Sequence, residues 1–344
     1  QIEGQLPHKL SGTLEWKIPG LLSSELVGRS EIDGELAEPR VRNSLLQPSS
    51  ASLQLSANLG LERPLIEGTL DAQKLNLSTL QDSWPDQLLT VHTDFSIDGS
   101  SIDAHGVLQW AELPGLDIAL QSIIEADHLQ LLALDISLQG TRGNIYAAGK
   151  IPLATEQEFQ LTAQWNDLEL DVSGKHLVSA GTANMSGTAS AYTLQVSTDS
   201  TLDEYPQISL QVEATGNDKG MVISSFLAEL MNGRAEGYAE LDWQDGLHAV
   251  ANIDAKGLDT STLDASFPGQ IPQGVLNLVT GLELGMDETG TRLTVDLKKL
   301  SGDIGGEKLS GHGSLALIPE QLNLDTLELQ LGGGMIKASG TLSE

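Results

Sequence analysis

Apolar and polar residues alternate along most of this chain, and that alternation limits what it can fold into. Leu53-Gln54-Leu55, Leu168-Glu169-Leu170-Asp171-Val172 and Tyr192-Thr193-Leu194-Gln195-Val196 each place their apolar side chains on one side. Ile208-Ser209-Leu210-Gln211-Val212, Leu293-Thr294-Val295-Asp296-Leu297 and Leu327-Glu328-Leu329-Gln330-Leu331 repeat the pattern. A period of two is the period of a β-strand with one apolar and one wet face. Turn clusters such as Gly216-Asn217-Asp218-Lys219-Gly220 and Asp245-Gly246 separate the runs, and long stretches with a helical period are missing. The pattern predicts an all-β chain.

Aligning the glycines exposes a finer repeat. GMIKASGTL (334–342) matches GNIYAAGKI (143–151) at Gly, Ile, Ala and Gly, and SSIDAHGVL (100–108) shares Ile, Ala, Gly and Leu. Looser copies begin at Gly28, Gly181 and Gly233. The copies are irregularly spaced, which excludes a solenoid with a constant coil. Several run on into a tryptophan two residues past a Leu or Ala: Leu14 and Trp16, Leu108 and Trp110, Ala163 and Trp165, Leu241 and Trp243. Each Trp then shares the face of its Leu or Ala and marks a strand end before a hairpin. The glycine of the repeat faces the same way, either opening space for curvature or a bound chain, or marking a bend.

A longer stretch is duplicated. AQKLNLSTLQDSWPDQL (72–88) and AKGLDTSTLDASFPGQI (255–271) share Ala, Leu, Ser-Thr-Leu, Ser, Pro and Gln, and suggest a module repeated around 72–110 and 255–317. In both, Ser-Thr-Leu followed by Pro85 or Pro268 predicts one helical turn, begun by a Ser cap and stopped by the proline. Length alone would suggest about two domains. The repeats instead predict one continuous repetitive segment over 1–344.

Forty-eight acidic residues against 18 Lys and Arg leave a net charge of −30. That balance argues against nucleic acid, whose phosphates need clustered cations, and against a basic patch on anionic lipid. The chain lacks cysteine, so disulfides, thiolate metal sites and cysteine nucleophiles are excluded. Apolar residues make up 40% but aromatic residues only 4%, little ring volume with which to fill a closed core. No apolar stretch approaches the ~20 residues that span a bilayer, and no signal peptide is present. The chain opens at Gln1 without an initiator Met and is expected to be an internal segment of something longer.

Catalytic chemistry finds little footing. Histidines stand at 8, 92, 105, 128, 176, 248 and 312, none at the i, i+3 or i, i+4 spacing of a metal pair. His105 and His312 precede repeat glycines, on the expected outward face, and read as structural. Nucleophile elbow, phosphate loop and zinc-peptidase motifs are absent. Gly302-Asp303-Ile304-Gly305-Gly306 could be a calcium turn but lacks repeated acidic ligands. The expectation is a protein that is not an enzyme and has no cofactor and no metal.

The L-x-L alternation, the G-x-L-x-W endings and the D/N-x-S-T-L-x-x-x-x-P turns together resemble the TamB family of AsmA-like proteins. The resemblance covers nearly the whole chain. It implies an elongated antiparallel sheet folded lengthwise into an open apolar groove, a β-taco, with a few short helical turns. It also implies the periplasm of a Gram-negative bacterium and passage of phospholipid between inner and outer membranes. The acyl chains would lie in the groove. A missing N-terminal anchor would reach the inner membrane, and a missing C-terminal region would reach an outer-membrane barrel partner of the TamA-like kind.

The expected groove lining begins with Leu14, Trp16, Leu53, Leu55, Leu108 and Trp110. It continues through Ile145, Ala147, Ile151, Leu161, Trp165, Leu194, Val196, Leu210 and Val212. Toward the C-terminus it takes in Leu241, Trp243, Val295, Leu297, Leu315, Leu317, Leu327, Leu329, Leu331, Ile336, Ala338 and Leu342. Two other readings compete. A scaffold or chaperone for outer-membrane β-barrel proteins would use free strand edges. A closed β-sandwich or β-helix adhesin fragment would bury the apolar faces against each other.

Overall fold

The structure, a computed structural model, describes residues 2–3, 8–18, 26–47, 51–60, 62–76, 88–110, 115–125, 127–153, 157–172, 175–188, 190–203, 205–244, 246–263, 271–287, 290–319 and 321–343. The chain divides into two compact units, Gln1–Ala154 and Thr155–Glu344. One copy of the duplicated stretch falls in each.

The first unit opens with β1 (Ile2–Glu3), β2 (Lys9–Ile18), β3 (Leu26–Glu35), β4 (Glu38–Gln47), β5 (Ala51–Asn58) and β6 (Leu65–Asn76). It ends with β7 (Leu88–Asp98), β8 (Ser101–Trp110), β9 (Leu116–Ile124), β10 (His128–Leu138) and β11 (Asn144–Pro152). The second unit opens with β12 (Phe159–Val172), β13 (Lys175–Thr188), β14 (Ala191–Leu202), β15 (Ile208–Gly216), β16 (Gly220–Leu230) and β17 (Gly233–Asp242). It ends with β18 (Leu247–Asp259), β19 (Gly274–Asp287), β20 (Gly290–Ile304), β21 (Glu307–Ile318), β22 (Gln321–Leu331) and β23 (Gly334–Ser343).

Within the first unit each strand pairs antiparallel with the next. The same holds through the second. Among the described residues no pairing joins β2 to β11 or β12 to β23, so the strands of neither unit close into a barrel. The fold is all-β and antiparallel, as expected.

Among the described residues the apolar side chains are covered by their strand neighbours. Fully buried apolar side chains among the described residues are few, chiefly small ones such as Ala72, Ala214, Ala235, Ala239 and Ala255 with Leu131, Leu168 and Leu258. A sandwich of two packed sheets would bury far more. Among the described residues there is one local cluster, where Ala235, Ala255 and Leu258 pack with Leu230, Ile253, Leu276 and Leu278.

Among the described residues, seven strands break the alternation with an apolar pair three residues apart, and each break holds a β-bulge. The pairs are Ala72 and Leu75, Leu131 and Leu134, Trp165 and Leu168, Ile223 and Phe226, Ala255 and Leu258, Leu297 and Leu300, and Leu324 and Leu327. A bulge absorbs the extra residue, so both members of the pair stay on one face. The duplicated stretches share this device. Lys74 (φ 52°) and Gly257 (φ 71°) occupy the same slot, each after a buried alanine and before a leucine.

Two local expectations need revision. Trp165 is not at a strand end, because the bulge through Asp167 (φ 49°) carries β12 on to Val172. The turn Thr260–Leu263 is a single 3-10 turn whose cap is Asp259: its carboxylate accepts from the Ser261 backbone N–H at 2.9 Å. The matching turn after β6 with Pro85, and Asp245, Pro268 and Trp84, lie outside the described residues. Gly305 and Gly306, both left-handed, close the β20–β21 hairpin, and Asp303 pairs with Lys308 there at 3.3 Å.

Candidate functional site

Directly opposed residues of antiparallel strands point to the same side of a sheet. In the first unit this links Leu14 to Ser30, Asn43, Leu53, Leu70, Thr93, Gly106, Ile118, Ile136 and Ile145 in an unbroken cross-strand row. The second unit has a corresponding row. It runs from Trp165 through Gly181, Thr198, Leu210, Ala228, Ala235, Ala255, Leu278, Leu300, Gly311 and Leu329 to Ile336.

Extending these rows by steps of two places the expected lining. Leu14, Trp16, Leu53, Leu55, Leu108, Trp110, Ile145, Ala147 and Ile151 share one face of the first unit. The side chain of Trp110 lies outside the described part, although its backbone ends β8. Leu161, Trp165, Leu194, Val196, Leu210, Val212 and Leu241 share one face of the second. So do Val295, Leu297, Leu315, Leu317, Leu327, Leu329, Leu331, Ile336, Ala338 and Leu342. Trp243 alone stands off, just past β17. Its indole N–H donates to the Asp218 carbonyl at 2.9 Å and ties it to the β15–β16 turn.

These faces are almost free of charge. Among the described paired residues, the first unit's apolar face carries none, and the second carries only Lys175 and Glu307, each the first residue of its strand. Yet the faces remain open to solvent: Leu14 is 62% exposed and Leu317 44%. The opposite faces hold the charges. Arg42 pairs there with Asp33 at 3.6 Å, Lys337 with Glu328 at 2.7 Å, and His92 with Asp71 at 2.5 Å. His105 and His312 also lie on those charged faces, opposite Asp94 and Glu328. Its hydrogen bond to the Asp71 carboxylate, then the charge of that group, raises the pKa of His92. Lys337 does the converse to Glu328 and lowers it.

Aromatic rings on the apolar faces sit against glycines of a neighbouring strand. Trp16 opposes Gly28, Phe95 opposes Gly68, Trp165 opposes Gly181, Tyr192 opposes Gly216, and Phe226 opposes Gly237. A Cβ on Gly181 would stand 2.5 Å from the Trp165 ring, and one on Gly68 2.5 Å from the Phe95 ring. Each ring lies over its glycine and shields the backbone there. These glycines therefore house a ring, while Gly340 leaves space, with nothing within 4 Å. The two indoles are also tethered: Trp16 donates to the Ser30 hydroxyl at 2.9 Å and Trp165 to that of Ser179 at 3.0 Å. Both Trp residues thus serve packing.

The polar faces have hollows that alternation did not foretell. One of about 730 Å³ is bordered by Arg40, Arg42, Glu67, Asp94, Asp103 and His105. Another of about 740 Å³ is bordered by Asn184, Gln195, Glu213, Arg234, Glu236 and Tyr238. Among the described residues no three His, Asp or Glu side chains converge as metal ligands. No described helix is long and apolar enough to cross a membrane. The physical offering is two nearly charge-free, half-exposed apolar faces backed by acidic ones. A family model for the TamB N-terminal domain matches residues 40–344. The chain belongs to the TamB family, proteins of cell-envelope biogenesis.

Proposed function

We propose that the apolar faces shelter the acyl chains of phospholipids passing between the inner and outer membranes. One observation carries the reading. Leu, Ile, Val and Ala fill the apolar face strand after strand, with charge confined to two strand starts, and this surface stays accessible. A water-soluble protein leaves such a surface uncovered only where something apolar visits it. Each methylene shielded is worth ~0.8 kcal/mol, so two acyl tails moved out of water gain on the order of 20 kcal/mol. Near-equivalent aliphatic positions let a tail slide. The acidic reverse faces keep the protein in water and off anionic membranes. The reading asks for no chemical step and no cofactor. An inner-membrane anchor and an outer-membrane barrel of the TamA-like kind would supply the two ends.

The test is lipid recovered from the purified chain and identified by mass spectrometry. Replacing Leu317 and Leu329 with Asp puts charge on the apolar face where Leu317 is already 44% exposed, so the strands still pair. Loss of bound phospholipid with unchanged β-sheet circular dichroism is expected. A chain that carries no lipid, or a variant that carries as much, refutes the reading. It would favour the assembly-scaffold alternative.

A further inference from the structure

The two tethered tryptophans begin hydrogen-bond relays that end differently. In the second unit the Trp165 N–H donates to Ser179, whose hydroxyl donates to Thr198, whose hydroxyl in turn donates to the Ala180 carbonyl at 3.0 Å. Ser200 adds a further bond to Ser179, so every donor is used. In the first unit the Trp16 N–H donates to Ser30, and the Ser30 hydroxyl donates to Asn43 Oδ1 at 2.5 Å. That bond turns the amide so that its Nδ2 points its two hydrogens elsewhere. Among the described residues nothing accepts from them.

Asn43 is half-buried on the apolar face, opposite Ser30 and Leu53 and two residues from Val41 and Leu45. The amide is only half-buried, so water accepts its hydrogens while the face is bare, and an apolar ligand that displaces that water must bring an acceptor of its own. The relay behind it polarises the amide and strengthens what it can donate. The acceptor must arrive with an apolar body, because its surroundings are aliphatic. It should not carry full negative charge, because no cation shares this face of the first unit.

Resting on the lipid reading above, we propose that Asn43 Nδ2 hydrogen-bonds the acyl ester carbonyl of a diacyl lipid. It would make a polar register point among the aliphatic positions. The ester carbonyl is the uncharged acceptor at the head of each acyl chain, where Leu45 and Leu53 can cover the first methylenes. A net hydrogen bond of this kind corresponds to about fivefold in affinity.

The experiment compares a diacyl phosphatidylcholine with its di-O-alkyl ether counterpart, equal in headgroup and chain length but lacking the carbonyls. A photo-reactive p-benzoylphenylalanine replaces Leu45 beside the amide or, in a second protein, Leu297 in the other unit. Crosslinking at 45 should favour the ester lipid about fivefold, and Asn43→Leu should bring that ratio to one. At 297 the two lipids should crosslink equally. Equal yields at 45 with Asn43 intact, or a preference that survives Asn43→Leu, overturn the assignment. So does a preference of the same size at 297, or crosslinking at 297 with none at 45. Absence of crosslinking at both positions instead overturns the lipid reading itself.

Discussion

The pairing of Trp16 with Gly28 can be tested by changing one hydrogen into a methyl. A Cβ on Gly28 would lie 2.5 Å from Cη2 of Trp16 and 2.6 Å from Cε2, well inside van der Waals contact. The three atoms nearest that methyl all belong to this one ring, so in Gly28→Ala the indole must swing off the strand. It then loses the 2.9 Å bond to Ser30, about 1 kcal/mol, and uncovers on the order of 100 Å² of apolar surface, about 2.5 kcal/mol. The expected loss is about 3 kcal/mol. In a Trp16→Ala background the obstacle is gone, and Gly28 is not held in the left-handed region. There the same alanine should stabilise by about 0.5–1 kcal/mol through lower chain entropy. The sign therefore reverses, with a coupling of about 3–4 kcal/mol. Gly181 makes the contrast, because a Cβ there also meets the Ser197 carbonyl at 2.5 Å, a backbone atom that remains when Trp165 is removed. Gly181→Ala should destabilise in both backgrounds. Urea unfolding followed by far-ultraviolet circular dichroism measures all of these. Equal losses for Gly28→Ala with and without Trp16 would refute the ring-over-glycine account.

Thr260 is 4% exposed, and its hydroxyl reaches the Pro272 carbonyl at 2.8 Å, so Thr260→Val should cost about 1–3 kcal/mol in the same unfolding assay. Glu328 is held below its ordinary 4.5 by Lys337. Its contribution to stability is present above 4.5 and lost as pH falls through the lower folded value. Lys337→Met should bring the Glu328 titration back up, as read by carboxyl-carbon NMR. His92 is raised above its ordinary 6.5 by Asp71, so its contribution is present below 6.5 and lost as pH rises through the higher folded value. Asp71→Asn should lower its imidazole titration midpoint, measured by proton NMR.

Much of this architecture was legible because a period of two carries both the strand and the face. Leu327, Leu329 and Leu331 had to share a side once β22 was extended, and the ladder to β21 and β23 adds only which neighbours they meet. What stayed hidden depends on register between strands, which no single strand states. Nothing near Trp16 in sequence indicates that its partners are Gly28 and Ser30, or that Ser30 passes the bond on to Asn43. Trp165 was misplaced for a related reason. Its neighbours Asn166 and Asp167 resemble a turn, but the left-handed Asp167 makes a bulge that lets β12 continue.

The bulges were written in the sequence as apolar residues three apart, and this makes a demanding test of what the fold protects. In β20 the order is Leu297, Lys298, Lys299, Leu300, and both neighbouring strands oppose one extra residue there. Deleting Lys298 leaves Leu-Lys-Leu, a strict alternation that can pair with β19 and β21 without a bulge and without turning any leucine over. Deleting Asp296, only two residues away, joins Val295 to Leu297 and forces one side of the strand to flip. Either Leu293 and Val295 turn outward, bringing Arg292 toward the apolar face, or Leu297 and the residues after it do. Two half-buried aliphatic side chains exposed amount to about 2–3 kcal/mol before the misplaced charge is counted. The deletion at 298 should therefore unfold near the parent's urea midpoint and the deletion at 296 well below it. Equal losses would mean that the strands are held by backbone pairing alone, and that keeping one face free of charge is not what the bulges are for.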